Sequence, residues 1–134
     1  MKKKQIHCPY CGAKATLRPA SIVYGAATKV TDSYLYVCDR YPKCDSYVGA
    51  HKRTKQPMGT LANGDLRNKR IQAHKAFDWM WKSGLMTKWQ AYKWMQGKLA
   101  LSDEQAHIAK FSEYMCDRLI AECNIAYENQ RLAA

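Results

Sequence analysis

The chain has 134 residues, with 22 Lys/Arg against 11 Asp/Glu and a formal net charge of +11. That length allows one domain, or a small module plus one helical unit, and no apolar run is long enough to span a membrane. So large a cationic excess suits a polyanionic partner, because neutralising phosphates releases counterions; nucleic acid is the expected partner and no small-molecule substrate is indicated.

Met1-Lys2-Lys3-Lys4 opens like a secretory signal, but no apolar stretch follows before Cys8. A cytoplasmic location with reduced thiols is therefore expected. Two thiol pairs come next in the chain, Cys8-Pro9-Tyr10-Cys11-Gly12 and Cys38-Asp39-Arg40-Tyr41-Pro42-Lys43-Cys44. Their spacing fits two turns that deliver four thiolates, Cys8, Cys11, Cys38 and Cys44, to one tetrahedral zinc ion. Gly12 follows the second ligand, where such a turn needs unusual backbone angles. A disulfide framework is the competing reading, and the lack of a secretory signal argues against it. Four thiolates leave no open position for water, so the zinc is expected to be structural. A module this short needs the metal, since it cannot bury a sufficient core.

Between the pairs, Ala15–Arg18 reads as a strand that Ser21–Tyr24 continues, with a turn at Gly25–Ala27. Ser33–Cys38 alternates β-branched and aromatic residues and should end at the third ligand; Ser46–Gly49 leaves the fourth. In such a strand Tyr34 and Tyr36 share one face and Leu35 and Val37 the other, so one face is core and the other is available to stack on bases. Residues 1–57 carry 11 Lys/Arg against three Asp. A zinc–tetrathiolate centre would lower the resulting +8 to about +6, which is still strongly basic. Tyr36, Arg40, Tyr41, Lys43, Lys52, Arg53 and Lys55 interleave aromatic and cationic groups as single-strand binders do.

These residues resemble a known family. Cys-Pro-x-Cys-Gly, then Tyr36-Val37-Cys38, then Tyr41-Pro42-Lys43-Cys44 is similar to the C-terminal zinc ribbons of bacterial type IA topoisomerases, over roughly residues 7–50. The resemblance implies a ribbon that holds single-stranded DNA. The segment between the cysteine pairs is longer than those ribbons usually have, and the topoisomerase catalytic domain is absent, so no strand passage is implied.

Residues 51–64 are polar, basic and broken by Pro57 and Gly59, and are expected to be a linker or a phosphate-touching arm. From Asp65 to Ser83 the period becomes helical, with Leu66, Ala73, Phe77 and Met80 on one stripe, Asp65 at the start and Gly84 as the stop. Arg67, Arg70 and His74, spaced three then four, fall on one face and are candidate phosphate contacts. Thr87-Lys88-Trp89-Gln90 has capping-box form and opens a helix with Tyr92, Met95 and Leu99 inward; Ser102-Asp103-Glu104-Gln105 is a second such box. Ile108, Phe111, Met115, Leu119, Cys123 and Ala126 continue at helical spacing, with Ser112 marking a break. Of Trp79, Trp81, Trp89 and Trp94, most should fill core and one should be exposed. Cys116 and Cys123 share a helical face; with His107 they raise a second metal site, against the simpler reading of buried free thiols. The fold class is thus α+β: residues 1–50 form a small antiparallel β zinc ribbon, 51–64 a basic linker, and 65–134 a unit of three or four helices.

The motifs Gly59-Thr60-Leu61-Ala62-Asn63, Arg67, Arg70, Ala73-His74, Phe77-Asp78, Trp81, Ala91-Tyr92-x-Trp94 and His107-Ile108 resemble an uncharacterised zinc-finger-containing domain family of bacterial and phage proteins. With the ribbon, the likeness spans nearly the whole chain. It implies family membership and a phage or mobile-element setting rather than a defined role.

No catalytic set is evident: there is no phosphate-cradling glycine loop, nucleophile elbow or deaminase signature. A His-metal nuclease could draw on His51, Asn68 and His74, but the ββα hairpin it needs is missing. Two functions follow. One is non-catalytic binding of single-stranded or junction DNA. The other is a phage-encoded adaptor or inhibitor that docks on a host protein through the helical unit.

Overall fold

The computed structural model describes residues 5–25 and 33–133. The chain divides into two compact units, Met1–Asp65 and Leu66–Ala134. The first is built on a four-stranded antiparallel sheet in the order β1 (Ile6–His7), β2 (Lys14–Pro19), β3 (Tyr34–Cys38), β4 (Tyr47–Gly49). The second is helical, so the α+β class and the ribbon-then-helices order both hold.

Register explains how the sheet presents its side chains. Leu17 lies opposite Tyr36 and Tyr36 opposite Val48, while Thr16 pairs with Val37 and Val37 with Tyr47. Each face carries an apolar cluster, so the face expected to be free for stacking is partly packed, with Tyr36 half-buried in it. Leu35 and Val37 pack with Ala20, Val23, Tyr41 and Tyr47. On the other face Tyr36 packs against Cys8, Cys38, Val48 and Leu61.

Three local expectations change in this unit. Strand β1 adds an edge that the sequence did not signal. Ser21–Tyr24 is not a strand but a one-turn helix, α1, ended by Gly25 at φ 88°. Pro19 closes β2, and the turn that follows packs half-buried Val23 against the cluster of Ala20, Leu35 and Val37. The rest of the expected Gly25–Ala27 turn, like the Lys2–Lys4 run, lies outside the described residues.

The expected linker is folded structure. Ala50 bridges to Pro57, Met58 donates its N–H to the Gly49 carbonyl at 2.8 Å, and Tyr47 and Ala62 exchange bonds of 3.1 and 3.0 Å. The unpaired edge of β4 takes these partners because buried or half-buried backbone groups must be satisfied. Leu61, buried to 2 % exposure, anchors the return.

In the second unit, α2 (Gly64–Lys82) buries Leu66, Arg70, Ala73, Phe77 and Met80, a strict four-three-four-three stripe. Gly84, at φ 86°, stops it. Asp65 lies within the first turn, where its charge complements the helix dipole. The Thr87 capping box forms with both reciprocal bonds, 3.1 and 2.9 Å, and opens α3 (Lys88–Leu99), which buries Ala91, Met95 and Leu99. Tyr92 is half-buried and meets Phe77 edge-on at 5.1 Å.

The Ser102 box also makes both its bonds, 3.0 and 3.3 Å, but closes a turn instead of starting an α-helix. A 3-10 turn, Ile108–Lys110, and buried Phe111 follow, and packing them inward outweighs local helix initiation. The last helix, α4 (Glu113–Ala133), begins just after Ser112, whose hydroxyl accepts from the Met115 N–H at 3.2 Å. It buries Cys116, Leu119 and Cys123, with Met115 and Ala126 half-buried. Among the described residues, no helix is long and apolar enough to cross a membrane.

Candidate metal centre

The two cysteine pairs meet at one end of the sheet. Cys8 follows β1, and a tight turn returns the chain to β2: Gly12 donates to the Cys8 carbonyl at 2.9 Å, and Cys8 to the Ala13 carbonyl at 2.7 Å. Gly12 sits at φ 78°, a left-handed conformation that favours glycine. Cys38 ends β3, and the second turn closes through Tyr41 N–H to the Cys38 carbonyl and Cys44 N–H to the Arg40 carbonyl, at 2.9 and 3.2 Å.

The four sulfurs all lie within 4.8 Å of one another, with Cys8 to Cys44 at 3.6 Å and Cys11 to Cys38 at 3.4 Å. A tetrahedron with Zn–S bonds of about 2.3 Å has edges of about 3.8 Å, so the donor set fits zinc in size as well as in chemistry. Cys8, Cys11, Cys38 and Cys44 therefore hold one structural Zn²⁺, and its four protein ligands fill the tetrahedral shell.

Burial opposes ionisation of Cys8, but the N–H groups of Tyr10 and Cys11, with Ser46 and Cys44, outweigh it and bring the thiol down to about 6. Burial and its sulfur neighbours push Cys38 up to about 12. Zinc would displace the remaining protons, so its binding is coupled to proton release. Ser46, fully buried, has its hydroxyl 3.5 Å from the Cys44 sulfur and can donate to that sulfur once it is a thiolate. Sequence reasoning missed Ser46; its position two residues beyond the last ligand was the available signal.

The expected nucleic-acid contacts fall into distinct groups. Arg40 and Lys43 are exposed on the second zinc turn. Lys52 and Arg53 are exposed on the His51–Gln56 loop, where they line an open cleft of about 430 Å³ with Tyr34 and Lys55. Tyr36 and Tyr41 are half-buried in the packing of opposite sheet faces. Arg67 and His74 lie on α2, half-buried and exposed respectively. Arg70 is not a surface contact: it is 8 % exposed, and its Nε donates to the Phe111 carbonyl at 3.0 Å. The physical reason is its place in the buried stripe of α2, four residues after Leu66 and three before Ala73.

Cys116 and Cys123 are buried thiols, both raised by burial, Cys123 to about 12. They behave as small apolar groups. His107 is exposed, and among the described residues no second group of metal-ligating side chains assembles.

A family model described as a zinc-finger-containing domain matches residues 4–125, nearly the full chain. Neither a curated protein nor a solved structure gives a significant match.

Proposed function

The chain belongs to the zinc-finger-containing domain family, and from that premise we propose that it binds nucleic acid through its zinc ribbon, without catalysing a reaction. The observation that carries this reading is that Arg40 and Lys43, exposed and without a carboxylate partner among the described residues, sit on the turn that holds the metal. In the helical unit, Lys69 pairs with Asp117 at 2.7 Å, Lys93 with Asp103 at 3.2 Å and Arg131 with Glu128 at 3.1 Å, while Lys75, Lys88, Lys98 and Lys110 are exposed and scattered over three elements. On the ribbon, Arg40, Lys43, Lys52 and Arg53 meet no carboxylate among the described residues. Unmatched cations on a rigid surface favour a polyanion, and Arg40 and Lys43 are held by the same turn that holds the metal. Single-stranded or junction DNA is the proposed form, in keeping with the ribbon's resemblance to topoisomerase ribbons.

Fluorescence anisotropy with labelled single-stranded DNA, duplex DNA and RNA, at low and near-physiological salt, tests it. Saturable binding that prefers one form and is lost in Arg40→Glu and Lys43→Glu supports the proposal. Weak binding, equal for all three and gone at physiological salt, sinks it.

A second reading rests on Trp89, which is 69 % exposed on α3. It makes the chain a phage-encoded adaptor that docks on a host protein through the helical unit. Trp89→Ala would then abolish partner capture and leave nucleic-acid affinity unchanged.

A further inference from the structure

The His51–Gln56 loop is built more firmly than a basic linker needs to be. His51 N–H donates to the Gln56 carbonyl at 2.7 Å and Lys55 N–H to the His51 carbonyl at 2.9 Å. Lys55 adopts φ 60°, a left-handed backbone that a residue with a Cβ enters only at a cost. Several interactions hold it there. The Tyr36 hydroxyl reaches from β3 to donate to the Lys55 carbonyl at 2.6 Å. The Lys55 ammonium donates to the Lys52 carbonyl at 2.9 Å and lies 4.3 Å from the centre of the Tyr34 ring.

These interactions assign different tasks to residues of similar type. Lys55 and Tyr36 are consumed in shaping the loop. Lys52 and Arg53 remain exposed at the rim of the cleft, without a carboxylate partner among the described residues. The Tyr34 face that could have stacked on a base is already covered by an ammonium. What the cleft offers a ligand is positive charge on a fixed backbone, which suits phosphodiester groups rather than bases.

We propose that the His51–Gln56 loop is a preformed clamp for the phosphodiester backbone of a nucleic acid, with Lys52 and Arg53 as the phosphate-binding groups and Tyr36 and Lys55 as positioning residues. This rests on the nucleic-acid reading above and divides the labour within it. Nothing in the clamp reads base identity, so it contributes affinity and not sequence preference.

The test measures the affinity of the zinc-loaded full chain for a labelled single strand across a salt series. Replacing Lys52 and Arg53 together (Lys52→Gln with Arg53→Gln) should flatten the dependence of log affinity on log salt by about 0.7 for each phosphate no longer neutralised. Tyr36→Phe should weaken binding severalfold in the wild-type background and have little effect in the Lys52→Gln, Arg53→Gln background. A merely structural role for Tyr36 would weaken both equally. The thiolate-to-cobalt absorption of the cobalt-loaded variants verifies that the ribbon still folds. Wild-type affinity and slope in the double variant, with binding abolished in Arg40→Glu and Lys43→Glu, overturns the clamp and leaves the nucleic-acid reading standing. Displacement of the strand by inorganic phosphate at matched ionic strength also overturns the clamp, because the site would then serve free phosphate. Absence of saturable binding by the wild type overturns the reading and the clamp together.

Discussion

Among the described residues, the ribbon unit fully buries no side chain larger than Leu61, whereas the helical unit closes on Phe77, Met80, Met95 and Leu119. The ribbon's apolar groups form two small clusters on opposite faces of a short sheet, and four of the ten residues in one of them are the cysteines themselves. Each fully buried large apolar side chain contributes about 1.5–3 kcal/mol, so the helical unit draws more from packing than the ribbon does, and the ribbon depends more on its metal. The charges divide less sharply. Four cations of the helical unit pair with Asp117, Asp78, Asp103 and Glu128, while Lys75, Lys88, Lys98 and Lys110 there, like Arg40, Lys43, Lys52 and Arg53 on the ribbon, are exposed without a carboxylate partner among the described residues. A metal-held fold can thus be small and still present a fixed basic surface.

Removing zinc should divide the two units most sharply. A strong chelator withdraws apparent binding energy of about 10–16 kcal/mol from a fold that depends on it. The sheet and its tyrosine environment should be lost, and the helical far-ultraviolet circular dichroism should largely persist. Cooperative loss of all helical signal would show that the units do not stand on separate cores.

Arg70→Met should act in the opposite sense, on the helical unit alone. It leaves the buried Phe111 carbonyl without its charged donor, at a cost of about 1–3 kcal/mol, seen as a lower denaturant midpoint. Zinc content and nucleic-acid affinity should not change. A loss of affinity without a loss of stability would restore Arg70 as a phosphate-binding residue.

The smallest effect is expected at the α3 start. Thr87→Ala removes one half of the capping box and should cost about 1 kcal/mol, again without altering zinc content. Chemical denaturation of the zinc-loaded protein measures it, and a wild-type midpoint would mean that tertiary packing alone holds the helix start.

What the sequence determined by itself was local. The four zinc ligands declared themselves through gaps of two and five residues, and Gly12 and Gly84 through the backbone angles their turns demand. Both capping boxes were legible because each closes over three residues, and the α2 stripe because helical period is a property of adjacent turns. What those motifs serve was settled at longer range. The Ser102 box forms as written yet starts no α-helix, because the chain beyond it turns inward at Ile108 and Phe111. Arg70 has surface-like spacing with Arg67 and His74, but it also continues the apolar stripe, and the Phe111 carbonyl that decides between the two lies 41 residues away. The basic stretch after Ala50 became a shaped loop through the hydroxyl of Tyr36, 19 residues earlier than the carbonyl it binds. Turns, caps and metal knuckles are closed by near neighbours and can be read from spacing. The fate of a buried cation, a sheet edge or a loop depends on which distant polar group is left needing a partner, and only the folded chain brings that group into reach.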